Sequence, residues 1–285
     1  MPMFQHEPPS EHDRGLAYDL STLSRRRALH PFAGVGLATI VGCSAEDEPT
    51  TTGSASTGSS APPPSLSTSA DTDQAASCEE IPEETAGPYP GDGSNGPNVL
   101  TESAIVRSDI RSSFGSSSGT AEGIPLTVNL LLLDQANGCA ALAGAAVYLW
   151  QCDREGRYSL YSDGITDQSY LRGVQEADSS GEVTFSTIFP ACYMGRWPHI
   201  HFEVYPSLAE ATSGGNMLTT SQMALPEDVC SLVYATDGYE ESIRNMTRTS
   251  LDGDNVFGDD GGEQQLATMN GDVGAGFTAA LAVAV

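Results

Sequence analysis

Two histidines one residue apart, in His199-Ile200-His201, are the side chains of this 285-residue sequence best placed to do chemistry. They open the run His199–Tyr205 (HIHFEVY), whose alternation with period two predicts a half-buried strand. At i and i+2 both imidazoles leave such a strand on one face, while Ile200 points into the opposite layer. Imidazoles so placed can converge on a single ion; the alternative is a pair of surface histidines. The turn just upstream, Phe189–Pro198 (FPACYMGRWP), is crowded with aromatic residues around one arginine, Arg196, which is costly for a plain connection.

A metal held by two imidazoles needs further ligands, and their type selects the metal. Carboxylates suit a ferrous facial triad, thiolates suit zinc, and phenolates are hard anionic donors that favour ferric iron. A free tyrosine has a pKa of about 10, but a trivalent cation can hold it ionised at neutral pH. Tyr193 stands close to the histidines, and Tyr158 follows the strand ending in Trp150-Gln151-Cys152-Asp153. Either tyrosine could equally be an amphipathic packing residue.

Subtraction narrows the choice. His6, His12 and His30 lie in an N-terminal segment expected to be removed, so a three-histidine zinc site, a histidine-rich cupin site and an HExxH helix all lack their ligands. No nucleophile elbow accompanies the remaining pair, and no C-x-x-C offers a thiolate zinc site. All 12 basic residues are arginine, which excludes a catalytic lysine, a Schiff base and a P-loop. With 38 acidic residues and a net charge of −26, the surface repels phosphate, so nucleic acid is excluded as a partner.

The histidines must be held by a domain that begins well into the chain. Residues 1–43 read as an export signal: Ser24-Arg25-Arg26-Arg27 resembles a twin-arginine motif, and the apolar run after it is too short to span a bilayer. Ile40-Val41-Gly42-Cys43 resembles a bacterial lipobox, so Cys43 is expected to be acylated and to anchor an exported protein at the cell envelope, its only membrane contact. Residues 44–77 are rich in Ser, Thr, Pro and acids and cannot bury enough surface to fold, which makes them a tether. The folded domain is then 78–285. Within it Ile124–Leu133, Ala145–Gln151, Glu182–Phe189, His199–Tyr205 and Gly276–Val285 read as strands, and Pro226–Ala235 as the one helix. Short strands between Gly/Asp/Ser turns predict an all-β, antiparallel β-sandwich with long loops and one short helix.

In an oxidising compartment the five cysteines after Cys43 suggest two bridges and one free thiol, with Cys139 and Cys152 the first candidate pair because they flank two adjacent predicted strands. The acidic stretch Asp252–Glu263 lacks EF-hand spacing and reads as a solvated turn.

Tyr158 in WQCDREGRYS, Tyr193 in PACYMGRWPHIHF and the two histidines resemble the ligand set of the intradiol ring-cleavage dioxygenases, the catechol and protocatechuate 3,4-dioxygenase family. The resemblance runs from Thr85-Ala86-Gly87-Pro88-Tyr89 through Leu171-Arg172-Gly173 and Ser221-Gln222-Met223 to Asp254-Asn255-Val256-Phe257, and is nearest to the exported single-domain branch. It implies Fe(III) held by Tyr158, Tyr193, His199 and His201, and cleavage of a catecholic substrate by O2 between its hydroxyl-bearing carbons to a muconate-type diacid. Tyr193 would act as a base, Arg196 would stabilise negative charge on the ring, and Gln222 would lie on the oxygen side. Thr85, Gly87 and Pro88 would close over the substrate. Cys192, Met194 and Ala224-Leu225 depart from the family pattern at positions that shape the pocket. Two other readings remain: a non-catalytic sandwich module at the cell surface with a structural metal pin, and a zinc-dependent hydrolase using the same histidines.

Overall fold

The computed structural model describes residues 78–285. The predicted signal, the lipidation site Cys43 and the tether lie outside the described residues.

Among the described residues nine strands form two sheets. They are β1 (Pro125–Asp134), β2 (Ala140–Ala141), β3 (Ala146–Trp150), β4 (Arg172–Glu176), β5 (Glu182–Ile188), β6 (His199–Tyr205), β7 (Thr219–Ala224), β8 (Thr268–Asp272) and β9 (Gly276–Ala284). The first sheet runs β2-β1-β9-β8 with β5 also on β1, and the second runs β4-β3-β6-β7. The sandwich is therefore the expected one, except that β1 and β9 pair in parallel, from Leu126↔Phe277 to Leu133↔Ala284. Only the second sheet is antiparallel throughout.

Three short helices rather than one occur among the described residues: α1 (Leu208–Ser213), α2 (Glu227–Tyr234) and α3 (Glu240–Met246). The helix at Pro226–Ala235 is seen as α2, with Glu227 and Asp228 in its first turn, where they suit the helix dipole. α1 and α3 are too short for apolar periodicity to declare them, and the side chain of Ser207 caps α1. No described helix is long and apolar enough to cross a membrane.

The sheets close on a core that includes Val128, Leu130, Leu149, Phe185, Val204 and Phe277. Ile200 and Phe202 belong to this inner core, as their place in the alternation requires. The opposite face of the second sheet is also covered. Tyr148, Trp150 and Tyr205 pack there against Val99, Leu100, Ile105 and Tyr158, from the chain before β1 and the loop after β3. All seven residues of β6 are consequently buried, so the half-buried strand expected from the alternation is a strand buried on both sides. The histidines thus face a second, aromatic layer.

The expected Cys139–Cys152 bridge is absent. Cys139 is bonded to Cys78, with their Cα atoms 5.9 Å apart, and Cys152, Cys192 and Cys230 are buried free thiols. Cys139 turns the chain between β1 and β2 in a left-handed conformation, at the edge of the first sheet. Cys152 follows β3 in the second sheet and packs into the aromatic layer. Strands adjacent in sequence lie in different sheets, and that separates the two cysteines.

Candidate active site

The second sheet sets the histidines. β3 and β6 place Trp150 opposite His201, and the two rings stack with centroids 4.9 Å apart and planes 5° from parallel. His199 Nδ1 lies 2.5 Å from the carbonyl oxygen of Trp197. A carbonyl can only accept, so Nδ1 carries the proton and Nε2 keeps its lone pair. That Nε2 is 3.1 Å from His201 Nε2 and 3.1 Å from the Tyr193 hydroxyl. Burial holds both imidazoles well below their ordinary pKa, helped at His199 by the Arg196 charge and at His201 by His199, Arg196 and Arg172. Two neutral imidazoles and a phenol oxygen therefore converge on one small region.

Tyr158 reaches the same region from the loop after β3. Asp153 builds that loop, its carboxylate accepting from the backbone N–H groups of Glu155 and Arg157 and from Arg157 Nε. The Tyr158 amide donates to Ser162 Oγ, and the buried phenol ring meets Tyr193 and His201 edge-on at 6.0 and 6.2 Å. Its buried hydroxyl forms no hydrogen bond of ordinary geometry, the Tyr193 phenol being its polar neighbour. Burial first, and then the neighbouring Tyr193, push its pKa well above 10. Gly156, at φ 84°, lets this loop approach the Tyr193 turn, since a Cβ there would lie 3.1 Å from Tyr193 Cβ. Tyr193 itself is half-buried, and Met194 after it is 62% exposed.

Arg196 is buried beside this group. Its Nε is 3.0 Å from Asp254 Oδ2, and its Nη2 donates to Gln222 Oε1 at 2.6 Å. Gln222 in turn donates through Nε2 to the carbonyl of Thr85 at 2.8 Å. Arg196 thus both pairs with a buried acid and stands close enough to His199 for its charge to act there. Thr85 Oγ1 accepts from the Gly87 amide, and a Cβ at Gly87 would come within 3.3 Å of His201 Cε1. Pro88 only passes its carbonyl to Asn95.

Tyr158, Tyr193, His199, His201, Arg196, Gln222, Thr85 and Gly87 are thus brought together, whereas Cys139 and Cys152 are not. No group of three or more His, Cys, Asp or Glu side chains is arranged for a metal among the described residues, so any ion held by these imidazoles would need the phenol oxygens. Three contributors escaped the sequence reading as site residues: Trp150, Asp254 and Arg172. The last two stand in the quoted stretches Asp254–Phe257 and Leu171–Gly173, the only signal they gave. Asp254 also corrects the reading of Asp252–Glu263 as solvated turn, because it is buried and accepts from Trp197 N at 2.6 Å and Val256 N at 2.8 Å.

Residues 95–199, which include Tyr158, Tyr193, Arg196 and His199, match the family model described as Dioxygenase (Dioxygenase_C). Among solved structures, an intradiol ring-cleavage dioxygenase from Tetranychus urticae is 28% identical, with 73% of this chain and 94% of that one covered and a TM-score of 0.58. The dioxygenase domain of a dioxygenase carbohydrate-binding protein fusion from the cellulolytic bacterium Streptomyces sp. SirexAA-E is 23% identical over 73% of this chain and 98% of that one, with a TM-score of 0.46. No curated protein matches the chain.

Proposed function

We propose that the chain is an enzyme of the intradiol ring-cleavage dioxygenase family, which uses Fe(III) and O2 to open a catecholic ring between the two hydroxyl-bearing carbons, giving a muconate-type diacid. The observation that carries the proposal is that His201 Nε2 and the Tyr193 hydroxyl each lie 3.1 Å from His199 Nε2, with the buried Tyr158 phenol beside Tyr193. The His199 lone pair turned toward His201 Nε2, with two buried phenols beside it, fits a cation bound by two nitrogens and two phenol oxygens. Hard phenolate donors favour ferric iron in that set.

When bound, ferric iron supplies Lewis acidity to a chelated catechol and makes its ring reactive toward oxygen. The protein's own groups do the rest. Tyr193, half-buried next to exposed Met194, is the ligand phenol nearest solvent and the one suited to take a proton from an entering catechol hydroxyl. Trp150 fixes the His201 ring by stacking, and the Trp197 carbonyl fixes the His199 tautomer. Arg196 keeps a permanent positive charge, aimed by Asp254 and Gln222, where it can stabilise negative charge developing on the ring. Gly87 leaves the space over His201 that a side chain would fill.

The exported, lipid-anchored location rests on the sequence of residues 1–43 alone. Cys43→Ser should move the protein from the membrane fraction to the soluble one.

Ferric iron added to the purified protein should produce a red-brown phenolate-to-metal band that shifts with catechol, while O2 and catechol disappear in equal amounts. A coloured protein indifferent to every catechol would instead be the metal-pinned module. A colourless one with hydrolase activity resistant to iron chelation would be the zinc enzyme.

A further inference from the structure

Arg172, at the start of β4, is completely buried, and among the described residues its guanidinium meets carbonyl and hydroxyl oxygens rather than a carboxylate. On one side Nη1 donates to the carbonyl of Pro90 at 2.7 Å and Nη2 to that of Tyr89 at 2.9 Å. On the other, Nη2 donates to the carbonyl of Ser159 at 3.0 Å and Nε to its hydroxyl at 3.1 Å. The first pair closes the segment that begins at Thr85 and carries Gly87 against His201. The second is the residue next to Tyr158. A single planar fork therefore spans the wall of the candidate pocket and the loop that presents a candidate ligand, which an ammonium group could not do.

The backbone around this clamp is committed to it. Leu160 and Leu171 both hold left-handed φ values, 75° and 58°, a conformation that leucine adopts only when its surroundings demand it. Leu171 immediately precedes Arg172, and Leu160 immediately follows Ser159. Gly91 permits the close approach, since a Cβ there would lie 2.8 Å from Arg172 Nη1, and its amide donates to the Tyr161 hydroxyl at 2.8 Å. Each segment thus also reaches the other directly.

We propose that Arg172 is a positioning residue that couples the Tyr158 loop to the Thr85–Pro90 wall, so that the phenol and the substrate surface move as one body. The catalytic consequence rests on the function proposed above; the coupling itself does not.

Arg172→Lys keeps a cation and removes the fork. In the metal-free protein, hydrogen exchange of the Gly91 and Tyr158 amides should accelerate together, each by about tenfold or more. In the ferric protein, KM for catechol should rise about tenfold with kcat changed less than about threefold, and the phenolate-to-iron band should move. Tyr239→Phe provides the comparison, because it removes a buried hydroxyl that donates to Phe189 and accepts from Ile124 in the inner core. It should lower the melting temperature and leave the band and KM unchanged. Should Arg172→Lys not fold, Ser159→Ala removes one acceptor and should give the same joint loosening at smaller amplitude.

Acceleration at only one of the two amides overturns the coupling, as does an Arg172→Lys protein that is destabilised with exchange, band and KM unaltered. A wild-type protein that takes up iron without colour defeats the proposed function, while the exchange experiment still decides the inference.

Discussion

Asp254 holds Arg196 by its Nε at 3.0 Å, and the pair is shut off from water, with the arginine side chain 5% exposed and the aspartate 0%. The carboxylate also accepts backbone N–H groups on both sides of the pair, from Trp197 and from Val256 and Phe257. Its charge is spread over the polypeptide, and the guanidinium keeps one nitrogen turned to Gln222.

Asp254→Asn should therefore be damaging in two separable ways. Leaving Arg196 buried without its anion is expected to lower the free energy of unfolding by roughly 3–5 kcal/mol, measured by denaturant titration. Losing the aim of the guanidinium should reduce kcat by about a hundredfold in the folded fraction. Unchanged kcat in the surviving folded protein would show that Asp254 serves stability alone.

Tyr158→Phe, His199→Ala and His201→Ala should each lower bound iron by about tenfold or more at limiting metal, and Tyr158→Phe should also shift or abolish the visible band. Metal analysis after gel filtration, read beside the absorption spectrum, distinguishes the four-ligand set from any set that omits Tyr158. Retention of full iron and full colour by Tyr158→Phe would remove that residue from it.

The Cys78–Cys139 bridge spans 61 residues of sequence, for which the chain-entropy model gives about 4 kcal/mol of stabilisation. Cys78→Ser should lower the melting temperature markedly, whereas Cys152→Ala should alter no disulfide. Mass analysis of peptides from the oxidised protein checks the pairing: recovery of a Cys139–Cys152 peptide would contradict this structure.

Glu84 lies beside the Thr85 segment with its pKa raised to about 8, chiefly by burial and then by the charges of Asp259 and Asp260; Arg196 and Gln265 oppose the shift. In the unfolded chain the same carboxyl ionises near pH 4.5. Below that value it is protonated in both states and costs nothing; between the two values only the unfolded state loses the proton, so stability falls as pH rises, and above about 8 the full cost remains. Glu84→Gln should flatten this slope and raise the melting temperature at pH 9 relative to the wild type. Parallel curves for the two proteins from pH 5 to 9 would exclude the linkage.

Much of the architecture is legible in the sequence because alternation is a local property. Glu182–Ile188, His199–Tyr205 and Gly276–Ala284 declare themselves this way, and the H-x-H spacing on β6 implies the shared face seen for His199 and His201. Strands such as Arg172–Glu176 (RGVQE) and Thr219–Ala224 (TTSQMA) carry no such pattern, because polar side chains such as Arg172, Ser221 and Gln222 are buried there against polar partners. The site is legible only in part for the same reason. Histidines on a strand advertise a common direction, but Tyr158, Asp254 and Arg172 arrive from loops or strand ends whose convergence depends on contacts far along the chain. The disulfide failed on sheet membership, which no spacing reveals.

The bond between Cys78 and Cys139 also decides how tension would travel. A pull from the N-terminal side reaches the described body at Cys78, and the sulfur bridge hands it straight to the β1–β2 turn. The covalent path of that load thus does not run through the Thr85–Pro90 segment.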